Sequence, residues 1–264
     1  MEDIKHSLLP LLSASSALKF GEFTLKSGRV SPYFFNSSFL YTATLHNAVC
    51  RAYASLLCAP PFTSISPFSD SNNHDDTDSS RAATPVPNYD ILFGPAYKGI
   101  ALAGSILPLL LLSQQGNQQQ QSSQTTAPSP LQFSQISYAY NRKEAKLHGE
   151  GGNLVGAPVR GRRVVIIDDV ITAGTAIREA VHLIRNEGGI VVGVIVLLDR
   201  QEKFSDDEPR SALRIVSEEL GVPVHAVIEL SDLIEAMEEG RMPGAGKEEL
   251  RRMKDYRNRY QSQG

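Results

Sequence analysis

The run Val164-Val-Ile-Ile-Asp-Asp-Val-Ile-Thr-Ala-Gly-Thr-Ala176 constrains this chain more than any other stretch, because it sets a strand, a pair of acids and a turn in immediate succession. Val164 to Ile167 are all apolar and β-branched, which suits a strand covered on both faces in a parallel sheet. Asp168 and Asp169 then stand at its carboxyl end, where open α/β sheets bind ligands. Thr172, Ala173, Gly174 and Thr175 turn the chain into a helix that continues through Ala176, Ile177, Ala180, Val181 and Ile184. The free N–H groups of a helix start, helped by the macrodipole, favour a phosphate. The string reads as a socket for a phosphorylated sugar. A plainer alternative is that the acids merely end a strand and Thr172 merely caps a helix. Capping, however, requires one polar residue, and this turn supplies two acids, two threonines and a glycine. Neither a G-x-x-x-x-G-K-[ST] loop nor a G-x-G-x-x-G after a strand is present.

The surrounding pattern extends this into an α/β domain. Strand-like segments at Asp90–Phe93, Ile136–Tyr140, Val164–Ile167, Ile190–Leu198 and Val224–Ile228 alternate with helical patterns from about Ile100 and over 175–187 and 211–220. Such alternation predicts a central parallel sheet flanked by helices. Pro108 is expected to kink or shorten its helix. Ahead of the sheet, Ile4, Leu8, Leu11, Leu12 and Leu18 fall at roughly helical spacing, Phe20 to Leu40 reads as short strands and turns, and Ala43 to Leu57 as a second helix. Lys247 to Tyr260 is a charged helix that reads as a solvated or packing element. Segment 60–87 is rich in Ser, Asp, Asn, Thr and Pro, and 113–129 in Gln and Ser, so both are expected as disordered surface loops inserted into a single domain spanning 1–264.

With 264 residues and a net charge of -3, the chain can bury a good core and carries no global basic field for nucleic acid. The apolar stretch Ile100–Leu112 is too short for a bilayer and is broken by Gly104, Ser105 and Pro108. The N-terminus lacks the basic start of a signal peptide. Cys50 and Cys58 lack C-x-x-C spacing and fit a reduced setting. A cytoplasmic protein with no membrane partner is the expectation. His6, His46, His74, His182 and His225 show no metal spacing and read as structural or surface residues.

As it stands, the Val164–Ala176 string resembles the phosphoribosyl pyrophosphate (PRPP) motif of the type I phosphoribosyltransferases. The resemblance implies PRPP contacts along Asp168, Asp169, Val170, Ile171, Thr172, Ala173, Gly174, Thr175 and Ala176. The acids would hold the ribose hydroxyls, as carboxylates accept hydrogen bonds, and Thr172 to Ala176 would cradle the 5′-phosphate. Three further strings support it. Asn141-Arg-Lys-Glu-Ala-Lys-Leu-His-Gly-Glu-Gly-Gly152 concentrates Arg142, Lys143, Lys146 and His148 among glycines. A basic run is usually a solvated face, yet this mixture suits a mobile lid over a polyanion. It is similar to the catalytic loop of the orotate phosphoribosyltransferase family, with Leu147 where an acid is common. Leu25-Lys-Ser-Gly-Arg-Val-Ser-Pro-Tyr-Phe-Phe-Asn36 resembles that family's N-terminal hood, within residues 1–40. Gly94-Pro-Ala-Tyr-Lys-Gly-Ile100 resembles its pyrophosphate loop. In isolation, Tyr33, Phe34 and Phe35 would more often be core aromatics and Arg200 a surface arginine.

The resemblance implies a type I phosphoribosyltransferase fold and transfer of ribose 5-phosphate from PRPP to orotate with Mg2+, held mainly through PRPP and water rather than by direct protein ligands. Lys98, Arg142, Lys146 and His148 would be catalytic, with Lys26, Tyr97 and Lys143 also on PRPP. Phe34, Phe35, Thr172, Arg200 and Lys26 would meet orotate. A homodimer with shared active sites is implied as well. Another PRPP-dependent base phosphoribosyltransferase shares the sugar site but should lack the hood and lid strings. A noncatalytic PRPP-sensing regulator should lack the cationic lid.

Overall fold

The computed structural model describes residues 2–25, 27–66, 84–119, 132–146, 152–171 and 174–263. In chain order the elements are α1 (Glu2–Ala14), β1 (Leu18–Thr24), β2 (Val30–Phe35), α2 (Ala43–Leu57), β3 (Thr63–Ser66), β4 (Thr84–Pro87), β5 (Ile91–Gly94), α3 (Lys98–Gln119), β6 (Ser137–Lys146), β7 (Gly152–Gly156), β8 (Arg163–Ile167), α4 (Thr175–Asn186), β9 (Ile190–Asp199), α5 (Ala212–Leu220), β10 (Val224–Glu229), α6 (Leu230–Glu238) and α7 (Lys247–Tyr260). Six strands form one sheet in the order β10-β9-β8-β5-β6-β7. It is parallel except for β7, which pairs antiparallel with β6.

Side-chain alternation along the strands splits the core into two layers. Leu92, Val165, Ile167, Ile195, Leu197 and Val227 face the side covered by α1, α2, α3, α6 and α7. Ile91, Phe93, Val164, Ile166, Val194 and Val196 face the side covered by α4 and α5. Burial of each such side chain contributes about 1.5–3 kcal/mol, which is why β8 can be apolar from Val164 to Ile167. The chain leaves β5 toward β6 and later returns on its other side as β8. The strand order therefore reverses between β5 and β8, and open sheets form ligand crevices at such a point.

The hairpin β1–β2 lies outside this sheet as its own two-stranded unit. It is docked by Arg29, which donates to the Lys203 carbonyl at 2.7 Å, and by Tyr33 set edge-on to Tyr256 of α7.

Several segments differ from the sequence expectation. Leu18 begins β1 and is not part of the first helix. Helix α3 continues past Pro108 to Gln119, because the glutamines and leucines that follow are good helix formers. The expected loops 60–87 and 113–129 are therefore structured at their ends. Thr63–Ser66 and Thr84–Pro87 pair as an antiparallel two-stranded ribbon, anchored by buried Phe62, and such an edge tolerates Pro85 and Pro87. Residues 67–83 and 120–131 lie outside the described residues. Strand β7 and helix α6 were not expected. Among the described residues, no helix is long and apolar enough to cross a membrane.

Phe93 is fully buried at the centre of the sheet. Phe93→Ala is expected to cost about 3–5 kcal/mol, read as a lower urea midpoint at constant m value. An unchanged midpoint would contradict this placement of the core.

Candidate active site

The site is built on the carboxyl ends of β5 and β8. After β5, Gly94 and Gly99 close a tight loop. A Cβ on Gly94 would lie 2.2 Å from the Gly99 carbonyl oxygen, and one on Gly99 would lie 2.6 Å from the Ile167 carbonyl oxygen. Only glycine permits this approach. The loop backbone is thus pressed against the last residue of β8, which brings Lys98 alongside the acids that follow.

Asp168 and Asp169 are the only buried carboxylates among the described residues. Their backbone is locked in place. The Asp168 N–H donates to the Ile195 carbonyl at 3.0 Å, the Leu197 N–H donates to the Asp169 carbonyl at 2.9 Å, and the Tyr53 hydroxyl donates to the Asp168 carbonyl at 2.6 Å. Burial holds the Tyr53 phenol well above its ordinary range, with the two acids adding to the effect, so it stays a neutral donor. The Asp169 N–H donates to Asp168 Oδ1 at 3.0 Å. On the other carboxylate, Lys98 Nζ donates to Asp169 Oδ2 at 2.9 Å and to Ser37 Oγ at 2.6 Å, while Ser37 Oγ also donates to Asp169 Oδ2. Desolvation, followed by the charge of Asp169, pushes Asp168 up to about 7.

Beyond the acids, Val170 bridges to Leu198 and Ile171 is buried, so these two fasten the turn to the sheet. Thr172 and Ala173 lie outside the described residues. Gly174, at φ +76°, is the N-cap of α4, and among the described residues it makes no side-chain cap hydrogen bond. A Cβ there would meet Val216 at 2.5 Å. Thr175 and Ala176 open the helix and are exposed. The free N–H groups of its first turn make an anion-favouring end.

Residues of the lid and hood strings lie on the β5 loop, on β6 and on the β1–β2 hairpin. Tyr97 is 72% exposed, with Lys143 Nζ 5.9 Å from its ring centroid. Asn141 Oδ1 accepts from the Ala96 N–H at 2.9 Å, joining the start of the lid to the β5 loop. Arg142 lies on β6, half-buried. The Lys146 backbone ends β6, but its side chain, like Lys26 and His148, lies outside the described residues. Phe34 is exposed and stacks on Phe23 at 5.5 Å, and Phe35 packs against the core. Arg200 turns toward the hood. It donates to Glu202 Oε1 at 2.8 Å and to Ser31 Oγ at 3.1 Å, and lies 4.5 Å from the Tyr33 ring centroid.

Sequence reasoning missed Ser37, Tyr53, Asn141 and Glu202. Asn141 opened the lid string and Glu202 lies two residues from its partner Arg200, but Ser37 and Tyr53 carried no local signal, because their partners are remote in the chain.

The sheet order, the reversal between β5 and β8 and the paired acids at that point are those of the type I phosphoribosyltransferase fold. Residues 84–224 match the family model described as the phosphoribosyl transferase domain. The chain is 48% identical over 260 residues to an orotate phosphoribosyltransferase of Coccidioides immitis, covering 98% of this chain and 96% of that protein. It is 44% identical over 235 residues to one from Stenotrophomonas maltophilia, covering 89% and 87%. A crystal structure of the Francisella tularensis orotate phosphoribosyltransferase superposes with a TM-score of 0.69 at 31% identity, covering 99% of this chain and 100% of that one. The chain belongs to the orotate phosphoribosyltransferase family.

The Asp168 shift gives a pH prediction. Between the ordinary aspartate value near 4 and about 7, the folded state binds a proton that the unfolded state has released, so stability falls as pH rises through that window. Asp168→Asn should therefore raise the melting temperature at pH 8 and have little effect at pH 4. An equal effect at both pH values would contradict the burial of this acid.

Proposed function

We propose that this chain transfers the ribose 5-phosphate of PRPP to orotate, giving orotidine 5′-monophosphate and pyrophosphate in pyrimidine biosynthesis. The observation that carries the reading is the buried Asp168–Asp169 pair beside Lys98, at the reversal point of the sheet and ahead of an uncapped helix start. Each part suits one part of PRPP. Carboxylates accept from the two ribose hydroxyls, the first turn of α4 with Thr172 and Ala173 receives the 5′-phosphate, and Lys98 lies on the diphosphate side.

Breaking the bond from C1′ to the diphosphate oxygen places positive charge on the ribose and negative charge on the leaving group. The protein's contribution is then positional and electrostatic. Lys98, Arg142, Lys143, Lys146 and His148 neutralise the departing diphosphate, with Tyr97 and Lys26 lining its path. Phe34 and Phe35 border the orotate ring, while Arg200, Thr172 and Lys26 meet its polar edge. Magnesium would be held mainly through PRPP oxygens and water rather than by direct protein ligands, and when bound would offset diphosphate charge.

The reading extends to one domain over residues 1–264, with a hood in 1–40 and insertions within 60–87 and 113–129. It also includes a cytoplasmic homodimer whose lids reach across to the neighbouring site, binding neither nucleic acid nor membrane. Family membership and the hood and lid strings support this over a purine or uracil enzyme.

The test is spectrophotometric. Purified protein with PRPP and magnesium should consume orotate and leave uracil and hypoxanthine unchanged. Turnover of hypoxanthine or uracil in place of orotate would contradict the assignment.

A further inference from the structure

Ser37 belongs to the hood, yet its hydroxyl sits between the two charged groups of the sugar site. The placement follows from the local fold. Strand β2 ends at Phe35, the Asn36 N–H donates to the Ala17 carbonyl at 2.8 Å, and the Asn36 side chain accepts from the Ser38 N–H at 3.0 Å. This caps a single 3-10 turn, Ser37–Phe39, and directs Ser37 at the end of β8. There Ser37 accepts from Lys98 and donates to Asp169. A hydroxyl is one of the few side-chain groups that can do both at once.

The effect on Asp169 follows from counting its oxygens. Oδ2 takes both Ser37 and Lys98. The Asp168 carboxyl shares a side-chain hydrogen bond with the same carboxylate group. The terminal torsion of an aspartate is broad and roughly two-fold, so a single ammonium contact leaves the plane of the carboxylate loosely set. Two donors of different origin on the same oxygen set it. Lys98 is half-exposed and flexible, and it must also serve the diphosphate, which makes the fixed hydroxyl the steadier of the two.

We propose that Ser37 is a positioning residue for PRPP, holding the Asp169 carboxylate and Lys98 in register and tying the hood that carries Phe34 and Phe35 to the sugar-binding acids. The proposal rests on the PRPP-site reading above.

Its test uses Ser37→Ala and Ser37→Thr in the full chain. PRPP affinity is measured by calorimetry and the Michaelis constants of both substrates at steady state. Ser37→Ala should weaken PRPP binding about fivefold, the size expected for one hydrogen bond. The orotate constant and the melting temperature should stay near those of the parent, and Ser37→Thr should recover most of the loss. Unchanged PRPP affinity in Ser37→Ala would overturn the proposal. So would an equal loss for both substrates, together with a lowered melting temperature and no recovery by threonine, since that pattern marks a merely structural hydroxyl. A parent protein that binds PRPP but does not consume orotate would refute the activity, while the calorimetry would still read the role of Ser37.

Discussion

Two adjacent carboxylates held away from water at the end of β8 are the constraint around which this structure is arranged. Isolated buried charges are strongly unfavourable, and two like charges side by side more so. The surroundings answer this in three ways. Backbone bonds from β9 and the Tyr53 hydroxyl fix the main chain, Lys98 and Ser37 satisfy one oxygen of Asp169, and Asp168 is held partly protonated near neutral pH. None of this improves stability over an apolar strand end. Retaining such an arrangement is intelligible as a site whose missing partners arrive with the substrate.

Close backbone approach makes that arrangement possible. The contact of Gly99 with the Ile167 carbonyl sets the height of the β5 loop above β8, and that height puts Lys98 within 2.9 Å of Asp169. The hood is attached on the opposite side through Arg29 and through Arg200, which reaches Ser31 and Tyr33. Hood residues therefore meet the strand ends, Ser37 at Asp169 after β8 and Ser31 at Arg200 after β9, although they come from distant parts of the chain.

The parts legible in the sequence were those with local signals. Val164–Ile167 announced a buried strand, Gly94 and Gly99 a tight loop, and Lys247–Tyr260 a helix that begins and ends where its charged pattern does. Helix α6 was missed although Asp232 accepts from the Glu229 N–H at 2.7 Å, a capping signal that is short and easily overlooked. Strand β7 was missed because its sequence is glycine-rich and its pairing depends on β6. Polar composition at 60–87 and 113–129 argued for loops. Anchoring by buried Phe62 outweighed it at the start of the first segment, and continuation of α3 to Gln119 at the start of the second. The strings named the acids and Lys98, which the fold brings together. Ser37 and Tyr53 were invisible because hydrogen bonds across the fold leave no mark on neighbouring residues.

The most direct measurement is PRPP binding by calorimetry to the parent chain and to Asp169→Asn, which keeps shape and removes charge. If the buried acids are the ribose socket, affinity should fall about tenfold or more, since hydrogen bonds to charged groups contribute about 1.5–3 kcal/mol. PRPP affinity within twofold of the parent would contradict the assignment of this pair to the sugar.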